Sequence, residues 1–295
     1  MAGPDLVTIA DGALTAAINP LGAELWSLAD TGGREFMTDA NPAFWTGHAP
    51  LLFPIVGALN GGTYRLGERE YALPKHGFAR TSRFDVAELA PNAVRFRLAD
   101  SEKTRALFPF AFALDAGFAL SGATLAVTVT VHNTGTAAMP FSFGFHPALA
   151  WPLPGGGAKE AHRVEFERAE PEPVRRIDLT GALLLPTPEP TPVEGRVLVP
   201  RAALFEADAL IWDRLSSRAL TFAGERGPSL ALAFPDSPNL GVWQKPGAPF
   251  LAIEPWHGFN DPVGFAGDFR TKPGVVELAP GASRSFRMDV TVRPG

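Results

Sequence analysis

The sequence predicts an all-β protein, a large antiparallel β-sandwich, and three observations carry that prediction. Apolar and polar residues alternate with a two-residue period in several runs, turn-forming residues cluster between the runs, and helical periodicity is scarce. In chain order, "AVRFRLA" sets Val94, Phe96 and Leu98 against Arg95 and Arg97. "ATLAVTVTVHN" sets Leu125, Val127, Val129 and Val131 against Thr124, Thr128, Thr130 and His132, the pattern of a half-buried strand. "SFRMDVTV" does the same with Phe286, Met288, Val290 and Val292. Clusters such as "LNGG", "LPGGG" and "APGAS", drawn from 30 Gly and 29 Pro, supply many tight turns. The best helical pattern, "FEADALIWDRLSS", places Leu210, Ile211, Arg214 and Leu215 for one amphipathic turn, yet "ALIW" serves equally as a strand. The Pro-rich tract "LLLPTPEPTPVEGRVLVP" reads as an extended surface loop rather than a linker, because strand patterning continues on both sides. With 295 residues and no fixed repeat, the expectation is a single domain over residues 1–295.

Composition narrows the function classes. A net charge of −5 without any long Lys/Arg run provides no footprint for nucleic acid or an anionic membrane. The absence of cysteine removes disulfides, thiolate chemistry and cysteine metal sites, and fits a reducing compartment. The first twenty residues lack the basic segment and apolar core of an export signal, and no run approaches the ~20 apolar residues of a membrane span, so a cytoplasmic protein is expected.

Three short stretches carry the chemistry. "HGFAR" and "GFHPA" each set a histidine, His76 and His146, beside glycine and phenylalanine, in a chain with only six histidines. In "LAIEPWHG", Glu254 follows an apolar run and should be desolvated, and a desolvated carboxyl must be paired, hydrogen-bonded or protonated. Burial raises its pKa toward the operating pH, which suits proton transfer to and from a neutral substrate. Trp243, Trp256, Phe78 and Phe145 are candidate apolar walls of the same site.

Together these stretches resemble the aldose 1-epimerase (galactose mutarotase) family, in the branch described as LacX-like. The resemblance runs through most of the chain and rests on residues 44–80, "FWTGHAPLLFPIVGALNGGTYRLGEREYALPKHGFAR", on "FSFGFHPAL" at 141–149 and on "VWQKPGAPFLAIEPWHG" at 242–258. It implies the two-layer supersandwich fold, a small-molecule partner in the form of a free aldose, and no metal or other cofactor. It also implies that His76, His146 and Glu254 interconvert α and β anomers, with Glu254 as base, His146 as acid and His76 as a hydrogen-bond donor. The sequence departs from many relatives at Ala58, where a basic residue is expected near the sugar; His48 or Arg80 is a candidate substitute, against the alternatives of a structural histidine in "HAP" and a surface ion pair. Asp261 is read as an Asx turn before Pro262.

Rival readings differ in what they require. A hexose-6-phosphate mutarotase needs extra basic residues at the pocket mouth, and Ala58 counts against it. A glycoside hydrolase needs two carboxylates, and only one stands in a site stretch. A His2Glu zinc site lacks the HExxH spacing. A non-catalytic sugar-binding protein on the same fold is the alternative outside enzymology. The choice of aldose, and monomer against homodimer, stay open at this level.

Overall fold

A computed structural model describes residues 5–295. Its main sheet has nine antiparallel strands in the order Val197–Leu198, Arg163–Phe166, Ala219–Ala223, Ser229–Ala233, Ser283–Arg293, Thr124–Asn133, Phe112–Ser121, Ala93–Ala99 and Asp85–Ala90. The carboxy-terminal strand is thereby central, paired with Thr124–Asn133 on one side and Ser229–Ala233 on the other. The three alternating runs of the sequence all lie in this sheet, and their apolar members are buried throughout. A smaller sheet runs Leu210–Trp212, Asn239–Trp243, Phe250–His257, Phe143–Phe145 and Leu51–Leu52, with Ala148–Ala150 also paired to Phe250–His257. A third sheet is formed by Val7–Asp11, Leu14–Asn19 and Glu24–Asp30.

The two larger sheets meet face to face. Phe143 of the smaller sheet stacks on Phe286 of the larger at 4.8 Å between ring centroids, and Phe141 meets the same ring edge-on. One hydrophobic cluster extends from Ile9 to Val292 and takes in both inner faces. Each fully buried Phe in it contributes about 1.5–3 kcal/mol through area removed from water. The ambiguous "ALIW" segment resolves as strand Leu210–Trp212, because pairing with Asn239–Trp243 completes the smaller sheet. The Pro-rich tract is largely irregular, but Leu184 is buried and its amide bonds back to the Asp261 carbonyl, so the tract is partly packed. Among the described residues, no helix is long and apolar enough to cross a membrane.

Asp261 does more than turn the chain. Its carboxylate forms a buried ion pair with Lys272 at 2.9 Å and accepts the Asn60 amide at 2.9 Å. The Asx-turn reading is therefore corrected. A sequence cannot bring together residues from two loops, and this pair ties 259–261 to the segment after Phe269–Thr271.

Candidate active site

Strand alternation assigns the functional side chains to one surface. Along Phe250–His257, Leu251 and Ile253 enter the main core, leaving Ala252, Glu254 and Trp256 on the opposite, outer face of the smaller sheet. Leu240 and Val242 likewise face the core and Gly241 and Trp243 face outward. The walls expected of Phe145 and Phe78 are corrected: both rings belong to the core, Phe145 by strand alternation against Phe143, and Phe78, ahead of the short turn Ala79–Thr81, against Phe53 and Phe112.

Register then brings the acid and base candidates together. Gly144 pairs with Trp256 and Ala148 pairs with Ala252, one antiparallel register whose ladder is broken over 145–147. His146 falls in that interruption directly across from Glu254, and its Nε2 lies 3.1 Å from Glu254 Oε2. Gly144 and Gly241 flank the Trp256 indole, and a Cβ at either would stand within 2.7 Å of it, so the two glycines let the ring lie across the sheet.

His76 arrives by a different device. It takes a left-handed φ of +68°, followed by Gly77 at +72°. Its amide donates to the Gly57 carbonyl at 2.8 Å, and the Gly57 amide donates to His76 Nδ1 at 3.1 Å. Because Nδ1 accepts, the neutral ring carries its proton on Nε2 and is a donor there. A Cβ on Gly77 would sit 2.2 Å from the Phe53 carbonyl oxygen. Gly77→Ala is therefore expected to destabilise the fold by more than the ~1–2 kcal/mol of a left-handed residue alone, read as a lower urea midpoint. An unchanged midpoint would show that this turn is free to relax.

His76, His146 and Glu254 line one cavity of about 270 Å³ with Arg80, Trp243 and Trp256. That volume is near the lower end of small-molecule sites, about 300–1,000 Å³. Four of its other wall residues carry no mark in the sequence: Trp45, Lys75, Asp208 and Asn260. Trp45 and Lys75 stand inside the 44–80 stretch, and Asn260 two residues beyond the third, so adjacency is their only signal. Asp208, on a left-handed turn at φ +66°, has none. His48 is not among the lining residues. Its ring stacks on Trp26 at 3.8 Å while its amide donates to Glu24, which places it beneath the loop and away from the cavity.

The electrostatics follow from burial. Glu254 is 2% exposed, and desolvation pushes its carboxyl well above the ordinary range, opposed by the charges of Lys75 and Arg80 and reinforced by Asp208. Desolvation, then the Arg80 charge, pushes His146 down to about 3. His76 is also held well below the usual histidine value, by burial and then by His146. Burial thus favours two uncharged imidazoles and shifts the carboxyl beside them toward its protonated form. Arg80, itself half-buried, is paired with no carboxylate within 4 Å among the described residues, and Lys75 likewise has none. Lys75 and Arg80 are thus two cations on the cavity wall; Ala58 accepts the Asp261 amide through its carbonyl. No group of three or more His, Asp or Glu side chains suited to a metal ion occurs among the described residues.

Comparison with known proteins gives a consistent result. The family model for aldose 1-epimerase matches residues 5–288. Protein LacX (plasmid) of Lactococcus lactis subsp. lactis is 32% identical over 288 residues, 95% of this chain and 96% of LacX. A galactose mutarotase-like protein from Lactobacillus casei superimposes with a TM-score of 0.90 at 32% identity, over 98% of this chain and 100% of the other. A galactose mutarotase related enzyme from Lactobacillus acidophilus gives 0.88 at 30% identity, over 98% and 97% of the two chains.

Proposed function

Because this chain belongs to the aldose 1-epimerase family, we propose that it is a mutarotase, interconverting the α and β anomers of a free aldose by acid–base ring opening and closure. The observation that carries the reading is the 3.1 Å approach of His146 Nε2 to Glu254 Oε2 in a buried, sugar-sized cavity.

The pair needs to hold one transferable proton. With Glu254 ionised and His146 protonated, Glu254 takes the proton from the C1 hydroxyl as the O–H electrons form the C1 carbonyl. The C1–O5 bond breaks, and its electrons on O5 take the proton from His146. Opening leaves both groups neutral, the arrangement that burial favours in the resting site. Rotation by half a turn about C1–C2 and the reverse transfers close the ring on the other face. His76, with its proton on Nε2, donates to a sugar oxygen as charge develops there. Lys75 and Arg80 act against the desolvation of Glu254 and keep its ionised form within reach. The Trp243 and Trp256 rings offer apolar faces to the sugar. No redox or covalent intermediate is involved, and a cytoplasmic location suits such a reaction.

Polarimetry on freshly dissolved α-D-glucose and α-D-galactose tests the reading: acceleration over a protein-free control supports it. A hexose 6-phosphate is the second reading, favoured by the unpaired cations Lys75 and Arg80 on the cavity wall. The same assay on glucose 6-phosphate decides between them. Saturable binding of any of these sugars with no acceleration would indicate a binding protein instead.

The pH profile follows from the one-proton requirement. Activity is lost on the acid side only as His146 takes a second proton, toward about 3, and on the basic side as pH rises through the elevated Glu254 pKa. Accordingly kcat/KM should show no acid-side loss near the ordinary histidine value of 6.5. An acid-side loss there would mean that His146 titrates normally and that the transfer scheme is wrong.

A further inference from the structure

His146 lacks the usual means of orienting an acid–base histidine. Its Nε2 faces Glu254, but its Nδ1 is buried with no hydrogen-bond partner outside its own residue, so no bond to another part of the protein fixes the rotation of the ring on that side. What contacts the ring is aromatic. Trp45 lies over its face, with centroids 4.9 Å apart and planes 25° from parallel. Trp243 and His76 approach it edge-on, at 6.0 and 5.8 Å.

The loop that carries Trp45 is fastened to the strand that begins two residues after His146. The Thr38 amide donates to the Ala148 carbonyl at 2.9 Å, and the Ala148 amide donates to the His48 carbonyl at 2.8 Å. Both ends of the excursion are therefore clamped to a residue two positions from His146. Within it, Phe44 and Trp45 amides bond to the Asn41 carbonyl, and the His48 ring is stacked beneath on Trp26. The indole is backed by Gly47, where a Cβ would stand 2.5 Å from the Trp45 ring, and is edged by Trp243 at 5.6 Å and Phe250 at 5.7 Å. Trp45 is thus held by Gly47, Trp243 and Phe250 with its ring close to parallel to His146.

We propose that Trp45 is a positioning residue: its indole, stacked on the His146 imidazole, sets the ring plane that aims Nε2 at Glu254 and the substrate, in place of a hydrogen bond at Nδ1. The proposal rests on the mutarotase reading for its kinetic consequence alone; the orientation itself is a property of the protein without substrate. A stacked ring leaves Nδ1 untied and the imidazole free to exchange protons through Nε2, whereas a bond at Nδ1 would fix one tautomer.

The test combines two readouts on wild type, Trp45→Ala and Trp45→Phe, each checked for an intact melting transition. In polarimetry, Trp45→Ala should lower kcat by between about tenfold and a hundredfold, the scale of a displaced catalytic group. Trp45→Phe, which keeps a stacking face, should recover most of that loss. In NMR of ¹⁵N-histidine-labelled protein without sugar, the His146 ring signals should shift and broaden in Trp45→Ala and stay near the wild-type positions in Trp45→Phe. If Trp45 served only as a wall for the sugar, KM would rise with kcat unchanged and the His146 signals would stay sharp and move no further than the lost indole ring current accounts for, and the proposal would be overturned. If wild type turns over none of the sugars, the mutarotase reading fails, and the NMR comparison alone decides the role of Trp45.

Discussion

Glu254→Gln is expected to lower kcat for mutarotation by about 10²–10⁴-fold, the contribution of a positioned acid–base group, while leaving sugar affinity within a few-fold. The amide retains the shape and the hydrogen-bonding reach of a protonated carboxyl, which is the form the desolvated site favours. Stability should move in the opposite sense to activity. A carboxyl whose pKa is raised on folding is tolerated without cost below its unfolded value and opposes folding increasingly as pH climbs toward its folded value. Removing the ionisation therefore leaves the neutral-pH melting temperature equal to or above that of wild type. Polarimetry beside a thermal melt distinguishes the possibilities: turnover within a few-fold of wild type would remove Glu254 from the role of base, and a collapsed melt would make it structural.

Lys272→Met is expected to cost about 3–5 kcal/mol of stability, the usual penalty for leaving one buried charge without its partner. The Lys272 side chain is fully buried and that of Asp261 is 4% exposed. Desolvation pulls the Lys272 pKa down and the Asp261 charge holds it up, so each depends on the other for its place in the interior. With Met in place Asp261 keeps the Asn60 amide but loses its cation. The melting temperature should fall by roughly 10 °C. Adding Asp261→Asn should recover part of the loss, because Asn still accepts from Asn60 and carries no charge. Additive losses in the double variant would refute the ion pair as the source of the cost. Since Asp261 adjoins Asn260 on the cavity wall, the single variant should also impair the site.

Much of this is legible in the chain because strand alternation is a local signal. The period-two runs around Phe96, Val127 and Phe286 lie in the large sheet with the predicted faces inward. The apolar run before Glu254 announces a buried carboxyl, and the carboxyl is buried. Phe145 and Phe78 escape such a reading because a glycine-rich, aromatic neighbourhood does not say which face an aromatic ring takes. Once Phe143 and Phe145 form a strand whose middle residue Gly144 faces the outer Trp256, their own side must be the core.

What the sequence by itself determined, then, is the all-β class, the membership carried by three stretches, and the residue types able to exchange protons. Only the tertiary structure decided that His146 faces Glu254, that Trp45 stacks on His146, that Lys75 and Arg80 are the cations near the base, and that His48 lies outside the cavity. The physical reason is range. Alternation and turn chemistry act between neighbours in the chain, whereas a proton-transfer pair is made by cross-strand register and by loops clamped over a sheet, and desolvation of that pair exists only once the sandwich has closed.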